Sequence, residues 1–248
     1  MFKRIVVIVV FLLLMFTEVV ISGNIFAEEM LKPEVASTAV YLAPIKQELQ
    51  KQWSKNRIIN FVFHGHSVPA GYFKTPDVRS FQAYPLLVHQ EAKTIYPFAV
   101  INAINTSIGG ENSESGAARF QQQVLTHRPD VLFIDYALND RGIGLERAKK
   151  AWESMIETAL AKNIKVILLT PTPDWSVNIL DDNTSLAQHA KQIRELAAKY
   201  HIGLADSYAE FKKKVQDGDN IRDYLSQINH PNEKGHRIVT SLIIQYLK

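Results

Sequence analysis

The sequence predicts a single α/β domain, a three-layer α/β/α sandwich around a mostly parallel five-stranded sheet. Three observations predict it: short apolar runs recur along the chain, helical patterns lie between them, and polar clusters follow the runs. Apolar runs without polar alternation suit strands covered on both faces, as in parallel sheets. Strand–helix alternation argues a doubly wound arrangement, in which sites form beyond the carboxyl ends of the strands.

Strands are expected at 58–63 (IINFVF), 98–104, 131–136 (VLFIDY), 166–170 (VILLT) and 202–205. Between them, Leu145, Ala148, Trp152, Met155, Ile156 and Ala159 recur at three- and four-residue steps, as do Leu186, Ala190, Ile193, Ala197 and Tyr200. Those steps place apolar side chains on one helical face. Segments 81–96 and 113–127 are helix-compatible, and 236–247 is expected to close the fold.

The chain has 248 residues, 46% hydrophobic and 21% charged, which excludes a disordered or repeat protein and suffices for one sizeable core. Lys and Arg total 28 against 25 Asp and Glu, so the net charge of +3 offers no basic face for nucleic acid. With no cysteine, disulfides and thiolate catalysis or metal binding are excluded.

Lys3 and Arg4 precede an apolar run from Ile5 to Phe16, and a small residue, Ala27, precedes Glu28 and Glu29. This matches a secretory signal peptide over 1–27, followed by a lead-in segment 28–57 and the domain 58–248. An uncleaved anchor is the alternative, and only then does the protein touch a membrane. Either way the domain is expected to be exported: secreted, periplasmic or on the cell surface.

Four polar clusters follow strands or precede the last helix. His64-Gly65-His66-Ser67 comes directly after the first strand and can present the Ser67 hydroxyl at the top of the sheet; a plain Gly/Pro turn with a solvated serine is the alternative. Gly109-Gly110-Glu111-Asn112 precedes a helix and can expose backbone N–H groups to an anion or oxyanion, or be simply an unusual loop. Asn139-Asp140 ends the third strand. Its Asn can donate a side-chain N–H, its Asp can cap a helix or bind across the loop base, and both can be ordinary turn residues. His230, beside Pro231 before the last helix, is either an exposed loop histidine or a base suited to take a proton from serine near neutral pH.

Ser67, Gly110, Asn139 and His230 in this order resemble the SGNH hydrolase superfamily, the GDSL esterases and lipases, over nearly all of the exported domain. The resemblance implies an SGNH/flavodoxin-like fold. It makes Ser67 (in GHS) the nucleophile and His230 (in HPNEKGH) the base. Ser67, Gly110 (in NTSIGGEN) and Asn139 (in ALND) become the oxyanion donors.

Three departures follow from the family pattern. His66 stands where GDS has Asp, so the nucleophile turn must be supported differently; Ala137 stands where GxND has Gly. The family's acid lies three residues before the base, and that position is Gln227. His230 is then oriented by Gln227, by a main-chain carbonyl, or by an acid from elsewhere such as Asp223 or Asp174. A neutral partner holds a tautomer but stabilises the imidazolium less than a carboxylate does.

Tyr72, Phe73, Tyr84, Arg141, Asp174 and Trp175 are candidate lining residues, with Trp175 able to stack on a sugar or pack on the core. No cofactor is expected. The His64–His66 pair has a spacing that can bind metal, but no third ligand is nearby, so no metal site is assigned. Glu111 and Arg119 are read as capping or solvating the helix after the second strand, and His189 as structural. The expected function is an exported serine esterase acting on carboxylic esters, short acyl or acetyl groups on a small-molecule or carbohydrate substrate by family analogy. A catalytically weak carbohydrate-binding protein and an O-acyltransferase on the same fold are the alternatives. The oligomeric state is not readable from the sequence.

Overall fold

The computed structural model describes residues 34–248, within which Val35–Lys248 form one compact unit. The expected leader, 1–27, lies outside the described residues. Five parallel strands form the central sheet: β1 (Ile58–Gly65), β2 (Val100–Asn105), β3 (Val131–Asp135), β4 (Lys165–Leu169) and β5 (Gly203–Ala205). Their order is β2-β1-β3-β4-β5, every neighbouring pair parallel. The chain leaves β1 toward β2 on one side and returns to place β3 on the other, so the strand order reverses between β1 and β3. A crevice opens at such a reversal.

The helices are α1 (Ala43–Leu49), α2 (Ser67–Ala70), α3 (Tyr84–Ile95), α4 (Ser113–Gln123), α5 (Leu145–Leu160), α6 (Ser185–Lys199), α7 (Ser207–Gln216) and α8 (Glu233–Ile244). Alternation along the strands divides the core in two. Ile59, Phe61 and Phe63 of β1, Phe133 of β3 and Ile167 of β4 face one apolar cluster, which α1, α3, α7 and α8 cover. Val62, Leu132, Ile134, Val166 and Leu168 face the other, under α4 and α5, and α6 contributes to both. Phe63 and Phe133 stack with centroids 4.4 Å apart, locking β1 to β3 beneath the crevice. Trp152 of α5 is wholly buried, and a side chain of that size contributes about 3 kcal/mol of burial.

Several boundaries differ from expectation for local reasons. β1 continues through His64 and Gly65, so Ser67 opens a short helix rather than a loop. β2 starts at Val100, three residues beyond Pro97, whose missing N–H disfavours a ladder. α3 starts at Tyr84, with Pro85 in its first turn, and 80–82 form a separate single turn. α8 begins at Glu233 because the Asn232 side chain accepts from Gly235 N–H; the apolar periodicity starts only at His236. The lead-in joins the domain from Val35 onward: Leu42, Ile45 and Leu49 are buried, and the Tyr41 hydroxyl bonds the Val166 carbonyl at 3.0 Å.

Candidate active site

Ser67 is the first residue of α2, directly beyond the end of β1. Its helix is capped at one end by His66, whose Nδ1 accepts from Val68 N–H at 3.2 Å, and closed at the other by Gly71 in the left-handed region at φ +95°. Gly65 has no room for a side chain, since a Cβ there would lie 2.4 Å from the Asp135 carbonyl and 2.7 Å from Pro69. That close approach aims Ser67 over the crevice between β1 and β3.

His230 reaches Ser67 from the opposite end of the chain. Its Nε2 lies 2.9 Å from Ser67 Oγ, and each residue is 8% exposed. The loop carrying it is held by a small antiparallel pair, β6 (Leu225–Gln227) with β7 (His230–Pro231), and by the Ser226 hydroxyl donating to the His230 carbonyl at 3.1 Å. The other ring nitrogen, Nδ1, meets the Phe73 carbonyl at 2.8 Å. A carbonyl only accepts, so Nδ1 carries the proton and Nε2 offers its lone pair to the Ser67 hydroxyl. Burial lowers the His230 pKa below the ordinary imidazole value; the Phe73 carbonyl works against that shift, and His66 adds to it.

Of the partners expected for His230, Gln227 brings its amide nitrogen within 2.6 Å of Nδ1, a donor facing a donor in this tautomer, so the Phe73 carbonyl and not Gln227 accepts the ring proton, while the Gln227 oxygen accepts from Thr75 N–H at 3.1 Å. Asp174 is not a partner: its carboxylate accepts from Arg141 at 2.9 Å and from the Ser176 hydroxyl at 2.5 Å. Burial opposes ionisation there, but Ser176 and Arg141 hold its pKa below the usual carboxylate range. Asp223 meets this loop through its main-chain carbonyl, which accepts from the Asn232 amide at 2.9 Å, and has no bond to the His230 ring among the described residues.

The second cluster is tied to the Ser67 turn. Ile108 N–H donates to the Gly65 carbonyl at 3.0 Å, and the Asn105 amide donates to the Pro69 carbonyl at 2.6 Å. Gly109 lies against the Tyr72 ring, which sits 6.2 Å from the His230 ring. Gly110 is exposed, with φ +83°, a conformation that favours glycine. Asn139 donates one side-chain N–H to the Glu111 carbonyl at 2.8 Å, which links the third cluster to the second and leaves its other N–H to serve elsewhere. Asp140 does bind across the loop base, accepting from Ser113 N–H and Trp152 Nε1 at 2.7 Å each.

Other expectations are corrected. Tyr84 does not line a substrate mouth: it is 1% exposed, and its hydroxyl donates to Asp135 at 3.1 Å inside the molecule. Phe73 is buried too, stacked on His236, and contributes its carbonyl rather than its ring. Glu111 and Arg119 form a shielded ion pair, not a solvated cap, and Arg119 also donates to the Tyr136 hydroxyl at 3.2 Å. His64 meets Thr106 at 3.0 Å and the Gly116 carbonyl at 3.2 Å, so both its nitrogens are engaged; burial, then Arg119, lowers its pKa to about 3. Among the described residues no group of three His, Cys, Asp or Glu is placed to hold a metal ion.

Arg141 and Trp175 are half-buried beside the site. Trp175 N–H bonds the Ile228 carbonyl at 2.9 Å, two residues before His230, and the Arg222 guanidinium covers its ring at 5.0 Å.

No curated protein matches the chain. Solved structures do. A two-domain esterase active on acetylated mannans superposes with a TM-score of 0.68 at 22% identity, over 84% of this chain and 52% of that one, so the chain spans about half its length. The acetylxylan esterase Axe2 of Geobacillus stearothermophilus superposes with a TM-score of 0.66 at 18% identity, over 76% of this chain and 94% of that one. At such identities the likeness is one of fold. A family model is more specific: the GDSL-like lipase/acylhydrolase model matches residues 63–238, from the end of β1 into α8, and so takes in the Ser67 turn, both intervening loops and His230. The chain therefore belongs to the GDSL-like lipase/acylhydrolase family.

Proposed function

We propose that the protein is an exported serine esterase that removes short acyl groups, acetyl foremost, from carbohydrate. The observation that carries the chemistry is the 2.9 Å contact between Ser67 Oγ and His230 Nε2, made across 163 residues of chain. Ser67 Oγ attacks the ester carbonyl while its proton passes to Nε2. The tetrahedral intermediate collapses, the ester C–O bond breaks, and the imidazolium returns the proton to the departing alcohol. Water then repeats the sequence on the acyl-enzyme and releases the acid. The oxyanion is assigned to Ser67 N–H, Gly110 N–H and the second side-chain N–H of Asn139. One such donor is worth about 3 kcal/mol of barrier.

The carbohydrate assignment rests on the activities of the two structural relatives together with an aromatic and charged rim of Tyr72, Arg141, Asp174 and Trp175. The neutral surroundings of His230 favour one second reading, a weakly catalytic carbohydrate-binding protein, because among the described residues no carboxylate touches its ring. Acetate release from acetylated mannan and xylan oligosaccharides decides between them. The proposal predicts release that Ser67→Ala abolishes, with none from long-chain lipid esters. Glycan binding without release supports the second reading. Acetylation of an added acceptor sugar in place of acetate release identifies a transferase.

A further inference from the structure

His66 occupies the position where the family's nucleophile motif carries a carboxylate, and the structure shows where a carboxylate has gone. In the register of β1 with β3, Gly65 lies opposite Asp135. Asp135 is 1% exposed, and its Oδ1 lies 3.3 Å from His66 Nε2, also 1% exposed. Neither atom has a hydrogen-bond partner among the described residues, and the 3.3 Å approach is a close charge–dipole contact that makes each the other's polar neighbour in the interior. The second carboxylate oxygen of Asp135 accepts from the Tyr84 hydroxyl at 3.1 Å, which fixes the group from below. On the far side of the ring, His66 Nδ1 accepts from Val68 N–H at 3.2 Å and stands 3.5 Å from Ser67 Oγ.

These contacts determine one ring state. Nδ1 accepts a backbone N–H and so bears a lone pair, which puts the ring proton on Nε2, facing Asp135. The carboxylate can only accept, so it enforces that tautomer and the ring orientation. We infer that Asp135, acting through His66, is a positioning residue for the nucleophile. It replaces the carboxylate of the usual motif by one delivered from the neighbouring strand, with Tyr84 holding it. The Tyr84–Asp135–His66 chain ends on the first turn of α2 and sets where Ser67 Oγ sits relative to His230. It touches no substrate, and it is separate from the Phe73 carbonyl that orients the base. This inference rests on Ser67 being the nucleophile.

The test is kinetic, with active sites counted by a fluorophosphonate serine probe so that misfolded protein drops out. For Asp135→Ala, kcat per titrated site on a soluble acetyl ester is expected to fall at least about tenfold, since small misplacements of a reacting atom cost this much or more. KM is expected to stay within about twofold, because no substrate contact is lost. Asp135→Asn retains an acceptor oxygen for His66 Nε2 and is expected to recover kcat to within about threefold of the parent. Should Asp135→Ala yield no titratable sites, Tyr84→Phe carries the test, removing only the hydroxyl and lowering kcat about threefold at unchanged KM. Full kcat per titrated site in Asp135→Ala, or in Tyr84→Phe where that variant stands in, overturns the inference while leaving Ser67 as nucleophile. A parent enzyme that hydrolyses the ester but never takes up the probe at Ser67 overturns both.

Discussion

His230, the proposed base, has two neighbours on its outer edge, the Phe73 carbonyl and the Gln227 amide, both uncharged. Burial disfavours its imidazolium, so its pKa lies below the ordinary value of about 6.5. A base works only when neutral, so with His230 in that role activity is expected to be lost as pH falls through the folded pKa and to be full above it. The acid limb of kcat/KM for a soluble acetyl ester is therefore expected at an apparent pKa below about 6.5, with a plateau through pH 7 to 8. A limb centred at 7 or above contradicts this environment for His230. Ser67, His230 and Gln227 were singled out in the sequence because they stand where the family pattern it resembles has its nucleophile, its base and the position of its acid. A main-chain carbonyl was among the partners expected for His230, but not which one, since main-chain groups carry no residue label; Tyr84 was misread, because its polar tip suits a mouth as well as it suits a buried hydrogen bond.

The strand-to-helix turn at the end of β1 is the element on which the site depends. Gly65 packs the Ser67 turn onto the end of β3 with no room for a side chain, and Gly71 closes α2 against Ser80. Gly65→Ala pushes a methyl group into the Asp135 carbonyl and Pro69, so it is expected to destabilise the fold by about 1–3 kcal/mol. It should also lower kcat by displacing Ser67; denaturant unfolding and initial rates check both, and a variant with parental stability and rate contradicts the packing. β1, β3 and β4 were legible in sequence because their apolar runs are unbroken, as burial on both faces requires. β2 was less so, since it is an edge strand with exposed Val100 and Asn102. α1, in the lead-in, was not assigned as part of the domain. The Asp135–His66 pairing was not legible because it depends on the register between β1 and β3, which periodicity within either strand does not encode.

At the scale of the whole molecule, the interior holds histidines that stay neutral. Burial lowers the pKa of His64 and His236 to about 3 and of His189 to about 4, with Arg119, His230 and Arg141 respectively adding to the effect. In the unfolded chain each returns to about 6.5. Their contribution is therefore intact above about pH 6.5 and is lost as pH falls toward the folded values, because unfolding then takes up protons. Each histidine is expected to cost about 1.4 kcal/mol of stability per pH unit once its unfolded form is protonated. Denaturant midpoints at pH 6 and pH 5, above most carboxylate titration, should show a steep fall. Stability unchanged over that interval contradicts neutral buried histidines.

The proposed chemistry needs a buried serine on α2 and a histidine from the far end of the chain to form one nucleophilic centre. Peptide mass spectrometry after reaction with a fluorophosphonate probe tests it most directly. The prediction is a single adduct on Ser67 that His230→Ala suppresses by at least about a hundredfold in rate. Continued ester hydrolysis with Ser67 unmodified, or an adduct whose rate ignores the loss of His230, contradicts it.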